Sequence, residues 1–338
     1  MDRGGRRRPG TDTQELYRRF GAEQAAGSSP TYERLAVAVA DDEPLRRRLE
    51  EVAAPARQPN LLFGAVRHLG GPVDDPRAFL AFVEREWESV SQILRTRTTQ
   101  TNEAGRCAPL LPVLAAIPGP LALLEVGASA GLCLYPDRYS YVYDLSPTVR
   151  LGSGPVTLAC QVRHAHVARP PLPDRLPDVV WRAGVDLNPL DPSDPDDLRW
   201  LLSLVWPEHA DRRRRLLAAA RLVAEEPSPV VAGDLLAALP ELVARARREA
   251  PTATVVVFHS AVLAYLEPDD RDRFTGLVHE LGVRWVSNEG FRVLPRVRDR
   301  LDPGMTAPVG GFLLALDGRP VAFTDPHGRW LHWLAPHR

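Results

Sequence analysis

LALLEVGASAGL, residues 121–132, reads as a buried strand running into a glycine-rich turn. Leu121, Leu123, Leu124 and Val126 supply the apolar run, and Gly127, Ala128, Ser129, Ala130 and Gly131 supply the turn. A short apolar run bounded by turn residues suits a strand covered on both faces, as in a parallel sheet. In α/β proteins of that kind, ligands bind beyond the carboxyl ends of the strands, where small residues admit close backbone approach. The turn is therefore expected at the functional site.

Working outward, the chain divides by texture. From Glu15 to about Ala115 the apolar residues recur at helical spacing: Leu16, Tyr17, Phe20; Leu35, Val39; Leu45, Leu49, Val52; Phe79, Phe82, Val83, Trp87, Val90. Residues 1–12 read as a disordered tail and 13–115 as a helical N-terminal region that caps the cleft. From 116 to 338 short apolar runs alternate with amphipathic segments, the pattern of a mostly parallel sheet. Strands are expected at 121–126, 178–185, 229–232, 253–258 and 283–287. Helices are expected over Asp196–Trp206, Asp211–Glu225, Leu235–Glu249 and Pro268–Leu281. Residues 135–169 break the alternation: Tyr139, Tyr141 and Tyr143 share one strand face and 156–162 looks like a second strand, so an inserted hairpin is expected. Near the end, Asp317-Gly318 between Phe312–Leu316 and Val321–Phe323 is a strong signal for an antiparallel hairpin.

Composition narrows the function. The chain has 338 residues and a formal net charge of -1, which gives no electrostatic case for nucleic acid or an anionic membrane. It contains no lysine, which removes Schiff-base and lysine-base mechanisms. Cys107, Cys133 and Cys160 lack metal-binding spacing, and no metal or disulfide framework is expected. No apolar stretch follows the basic residues at the N-terminus, so no signal peptide is read there. No run spans a bilayer, and a soluble, cytoplasmic protein is expected.

Three chemistries spell the turn in nearly the same way. An acid-x-Gly-x-x-x-Gly loop, met by Glu125, Gly127 and Gly131, resembles the cofactor loop of S-adenosylmethionine-dependent methyltransferases. Gly-x-Ser-x-Gly, met by Gly127, Ser129 and Gly131, resembles the nucleophile elbow of α/β-hydrolases. A dinucleotide loop would want glycines where Ser129 and Leu132 stand. A tight turn with no ligand is the plain alternative. The hydrolase reading needs Ser129 with an acid and a histidine later in the chain, such as Asp302 or Asp325 with His327.

The later strands end in polar clusters: Asp186-Leu187-Asn188, Gly233-Asp234, His259-Ser260 and Ser287-Asn288-Glu289. This order resembles class I methyltransferases, which have a Rossmann-like α/β sheet. The resemblance implies Glu125, Gly127, Ser129 and Gly131 at the cofactor, Asp186 at its ribose and Asp234 at its adenine. Asp144 lies nearer the usual spacing and is the rival for the ribose. His259 is the candidate base, with Glu289 to orient it. Asn102, Glu103, Arg106 and Ser260 are candidates for substrate binding. For His259 the plain alternative is a strand-end cap, and for Asn102 to Arg106 a helix cap with surface charge. Trp206 reads as core. His164 and His166 share a strand face but lack an obvious third ligand. TQTNEAGRCAPLLP, GVDLNPLDPSDPDD, LVWPE, VVVFHSAVLAYL and WVSNEG, together with the glycine turn, resemble a bacterial family known as domain of unknown function 2332. That resemblance covers nearly the whole chain from Leu16 and carries no activity. The function expected is methyl transfer to a small-molecule oxygen or nitrogen acceptor. The alternatives are an esterase using Ser129 and a non-catalytic cofactor-binding or regulatory protein.

Overall fold

The structure, a computed structural model, describes residues 12–163 and 171–334. The tail therefore lies outside the described residues except for Asp12, and so do His164 and His166. Two compact units emerge. One holds the described residues up to Thr101 together with Asp194–Arg214; the other holds Asn102–Ser193 and Arg215 onward.

The first unit is helical, as its spacing predicts. It contains α1 (Thr13–Phe20), α2 (Pro30–Asp41), α3 (Glu43–Glu50), α4 (Pro59–His68), α5 (Pro76–Arg85) and α6 (Trp87–Thr96). Ser29, Asp42 and Asp75 cap α2, α3 and α5 by accepting first-turn N–H groups, each ahead of a proline in the first turn. The apolar stripes meet in an aromatic core in which Phe63 packs against Tyr32 at 4.8 Å and Phe79 at 5.6 Å between centroids. Trp206 joins this core, with its indole N–H donating to Asn60 Oδ1 at 3.0 Å. It is a packing residue.

The second unit contains α7 (Cys107–Ala115), and the first takes back α8 (Pro195–Ser203), three residues shorter at its C-terminal end than the sequence reading. The boundary then falls within α9 (Ala210–Glu225), and α10 (Leu235–Glu249), α11 (Pro268–Glu280) and α12 (Pro295–Arg298) follow in the second unit. The core stripe expected on α10 is the buried one: Leu239, Leu242, Val243 and Ala246.

Among the described residues eleven strands form one sheet: β1 (Leu121–Val126), β2 (Ser140–Asp144), β3 (Val149–Leu151), β4 (Thr157–Arg163), β5 (Val179–Asp186), β6 (Val230–Ala232), β7 (Thr254–Ser260), β8 (Arg284–Gly290), β9 (Phe312–Leu316), β10 (Arg319–Thr324) and β11 (Trp330–Trp333). Their order is β3-β2-β4-β11-β10-β9-β8-β7-β1-β5-β6. The run β6-β5-β1-β7-β8 is parallel throughout. From β1 the chain adds β5 and β6 on one side, then β7 and β8 on the other. The switch in direction therefore falls at β1, where open α/β sheets place their ligands.

The Asp317-Gly318 hairpin joins β9 and β10 as expected, with positive φ at both residues, the geometry of a tight two-residue turn. The insertion differs from a simple hairpin. β2 pairs antiparallel with β3 but parallel with β4, so the tyrosine strand and its presumed partner run the same way. Residues 145–156 are long enough to hold a third short strand, and periodicity alone does not encode direction. Among the described residues no helix is long and apolar enough to cross a membrane.

Candidate functional site

Strand pleat sorts the polar residues into two sets. Ala122, Leu124 and Val126 of β1 share a core with Leu239 and Val243 of α10 and Phe274 of α11. Successive side chains alternate between faces, so Glu125 points the other way. Glu125 is in register with Phe258 of β7, which in turn aligns with Val286 of β8. Ser260 and Asn288, two residues further on, therefore share the Glu125 face. His259, Trp285 and Glu289 lie on the α11 face.

On the Glu125 face the glycine turn is clamped from two directions. Asn102 donates its amide to Ser129 Oγ at 2.6 Å and accepts the Ala130 N–H at 2.9 Å. Asp186 accepts the Ser129 N–H at 2.8 Å and the Asn188 N–H at 2.8 Å. Gly127 and Ala128 donate to the Val185 carbonyl, and Gly131 donates to that of Ala128. Every N–H of the turn thus has a partner within the protein. Gly127 has φ +69°, and a Cβ there would overlap the Val262 side chain. That glycine is required by packing as well as by backbone conformation.

Glu125 is the one polar residue in a strand whose six residues are all buried. Its Oε2 has no hydrogen-bond partner. Burial pushes its carboxyl well above the usual range, Cys133 and Asp186 push the same way, and Arg106 opposes them. Arg106 is itself buried and gives Nε to the Pro326 carbonyl and Nη1 to that of Ser260, both at 2.9 Å. Glu103 accepts Arg215 Nε at 2.9 Å and the Gly105 N–H at 3.0 Å. The sequence-derived trio Asn102, Glu103 and Arg106 is thus brought to the turn. Asn102 touches it directly, and the other two fasten the segment that carries Asn102.

Sequence reasoning missed the neighbours of Ser260. Thr324 Oγ1 donates to Asn288 Oδ1 at 2.6 Å, and Asn288 Nδ2 donates to Ser260 Oγ at 3.0 Å. Asn288 sits inside the quoted WVSNEG run, where alternation sets it opposite to Glu289; Thr324 carries no such signal. Cys107, Cys133 and Cys160 are free and buried. Burial pushes the Cys107 thiol well up, with a hydrogen bond to Cys133 adding to it.

On the other face, His259 is fully buried and both ring nitrogens are engaged. Nδ1 lies 2.7 Å from Glu289 Oε1, and the Trp285 indole donates to Nε2 at 3.0 Å. An indole N–H can only donate, so Nε2 accepts and the ring proton sits on Nδ1. The same Glu289 oxygen accepts the Val262 and Leu263 N–H groups at 2.9 and 3.1 Å. In this arrangement His259 and Glu289 brace the loop after β7, and neither ring nitrogen is open to take a proton from a substrate.

The strand order also separates Asp186 from Asp144. Asp186 ends β5, next to β1, whereas Asp144 ends β2, seven strand positions from β1. At about 4.8 Å per strand that is roughly 34 Å. Only Asp186 can serve the glycine turn. Asp234 ends the loop after β6 and caps α10, accepting the Leu236 and Ala237 N–H groups through Oδ1. Asp325 accepts from Arg329 Nε and Nη2 and from the His327 N–H. Among the described residues no group of three His, Cys, Asp or Glu could hold a metal ion.

These features define a mixed α/β protein with a clamped glycine turn at the carboxyl edge of its parallel strands. The chain belongs to the family described as an uncharacterized protein conserved in bacteria (DUF2332), whose family model matches residues 14–333. No curated protein and no solved structure matches it.

Proposed function

We propose that this protein is an S-adenosylmethionine-dependent methyltransferase acting on a small-molecule oxygen or nitrogen acceptor. One observation carries the reading. Glu125, Asp186 and Asp234 stand at the carboxyl ends of three adjacent parallel strands, β1, β5 and β6, beside a glycine turn at the switch point of the sheet. Carboxylates in that succession suit a ligand bearing an ammonium group, a ribose diol and an exocyclic amine. The residues fit such a cofactor in one further respect: Glu125 Oε2 is buried and lacks a donor.

When bound, the cofactor supplies an electrophilic methyl group on sulfur. The protein's own task is then alignment of donor and acceptor. Asn102 and Asp186 hold the turn in one conformation, so the backbone needs no ordering when the ligand arrives. Glu289 holds the loop after β7, with Val262 packed over Gly127. His259 acts through Glu289 as a positioning residue.

The esterase reading has Ser129 φ +51° in its favour, a strained conformation of the kind nucleophile elbows use. Against it, the chain continues into a three-residue 3-10 turn, Leu132–Leu134, where an elbow opens a helix. Ser129 Oγ also receives the Asn102 amide. A non-catalytic binding protein on this fold is the stronger second reading, favoured by the complete internal pairing of the turn's N–H groups.

Calorimetric titration with S-adenosylmethionine and S-adenosylhomocysteine tests the assignment. Asp234→Asn is the matched variant, because asparagine keeps the helix cap while removing the charge. Binding by the wild type, weakened in the variant, is the expected result. No binding by the wild type refutes the cofactor. Ester hydrolysis lost in Ser129→Ala would transfer the site to the esterase reading.

A further inference from the structure

Two buried glutamates near the carboxyl ends of the parallel strands are treated differently by their surroundings. Glu289 Oε1 gathers three donors: His259 Nδ1–H and the N–H groups of Val262 and Leu263. Glu125 Oε2 gathers none; the second oxygens of Glu289 and Glu103 gather none either, but each of those two carboxyls accepts hydrogen bonds through its Oε1. Arg106, the cation that opposes the effect of burial on Glu125, spends Nε and Nη1 on backbone carbonyls. The other titratable groups facing it are Cys133 just after the glycine turn, Cys107 on α7, Asp186 on β5 and Tyr139 ahead of β2, none of which brings positive charge.

We propose that Glu125 is a proton-exchange site: it stands as the uncharged acid in the free protein and ionises, releasing its proton to solvent, when a ligand's cationic group is seated against it. The step is balanced. The carboxylic O–H breaks, the proton leaves to buffer, and the carboxylate formed is neutralised by the cation that arrives. An isolated carboxylate in such a place is costly, whereas a paired one is tolerated. The inference rests on the cofactor reading for the identity of the cation, an amino-acid ammonium or a sulfonium. Burial acts in the same direction, holding the proton on Glu125 until the cation comes.

Two measurements test it on the full chain. In the first, S-adenosylmethionine and S-adenosylhomocysteine are titrated calorimetrically at neutral pH in two buffers of different ionisation enthalpy. Wild type should release about one proton per ligand bound, so its affinity rises about tenfold per pH unit while Glu125 stays protonated. Glu125→Gln, an isostere of the neutral acid, should release none and show a flat profile. Proton release with S-adenosylmethionine but not with S-adenosylhomocysteine would identify the sulfonium as the partner; equal release with both ligands would identify the ammonium. Binding with equal heats in both buffers and no pH slope overturns the inference while leaving the cofactor reading intact.

The second measurement needs no ligand. Thermal midpoints of wild type and Glu125→Gln are followed from acid to mildly alkaline pH. The folded carboxyl holds its proton more tightly than the unfolded one, so wild type should lose stability relative to the variant as pH rises above the ordinary carboxylate range. Parallel curves overturn the inference. If neither ligand binds, the cofactor reading falls and this second arm alone decides whether Glu125 is held neutral.

Discussion

Gly127→Ala separates a glycine kept for packing from one kept for a ligand. The residue has φ +69°, and an alanine Cβ there would overlap Val262 Cγ2 and lie 2.8 Å from Cγ1. Left-handed backbone costs a non-glycine residue about 1–2 kcal/mol. Forcing a methyl group into packed space costs about 1–3 kcal/mol more. The single substitution should therefore destabilise the protein by about 2–5 kcal/mol. Val262→Ala alone should cost about 1 kcal/mol, because the side chain is half-buried. In the double variant the overlap is gone and only the backbone strain remains. A double-mutant cycle by urea denaturation should then show a favourable coupling of about 1–3 kcal/mol. Additivity of the two substitutions within about 0.5 kcal/mol would refute the packing argument. It would mean that Val262 does not fill the space above Gly127 in solution.

Asn102→Ala should cost about 2–3 kcal/mol, since it deletes two hydrogen bonds and strands the buried Ala130 N–H. Hydrogen exchange at residues 129–131 should accelerate, and Asn102→Asp should restore protection at Ala130 in particular. His259→Phe leaves the buried Trp285 indole without its acceptor and removes one donor from Glu289, for about 2–4 kcal/mol, and the fluorescence of Trp285 should shift. Unchanged stability would show that the pair does not brace the loop.

Asp325 gives a prediction in pH. Burial alone would raise its carboxyl, but the Arg329 guanidinium and the His327 and Arg329 N–H groups outweigh it and hold the carboxyl below the usual range. A lowered folded value contributes stability that is complete above the ordinary carboxylate range and lost as pH falls through the folded value. Asp325→Asn should remove that part of the acid dependence, which a series of thermal unfolding curves below neutrality would reveal.

Much of the sheet was legible in the sequence because burial writes itself as apolar runs. The strand from Leu121 to Val126, the helix from Leu235 to Glu249 and the Asp317-Gly318 hairpin lie where periodicity and turn chemistry put them. The convergence of Asn102 and Asp186 on the glycine turn was only half legible. The residues were named, but a contact across 27 or 57 positions leaves no local trace. Direction was not legible in the insertion, where β2 and β4 run parallel around a short third strand.

The sequence by itself determined that a glycine turn follows a fully buried strand carrying one acid, and that polar clusters end the neighbouring strands. Local chemistry is enough for that, because apolar runs and glycines act within a few residues. Tertiary structure decided which acids meet. Strand order placed Asp186 beside the turn and Asp144 seven strands away, and pleat parity put Glu125 and His259 on opposite faces. It also decided that His259 is enclosed by Trp285 and Glu289, while Glu125 Oε2 is left without a donor. Those outcomes depend on which distant segments pack together, and packing is a property of the whole sheet.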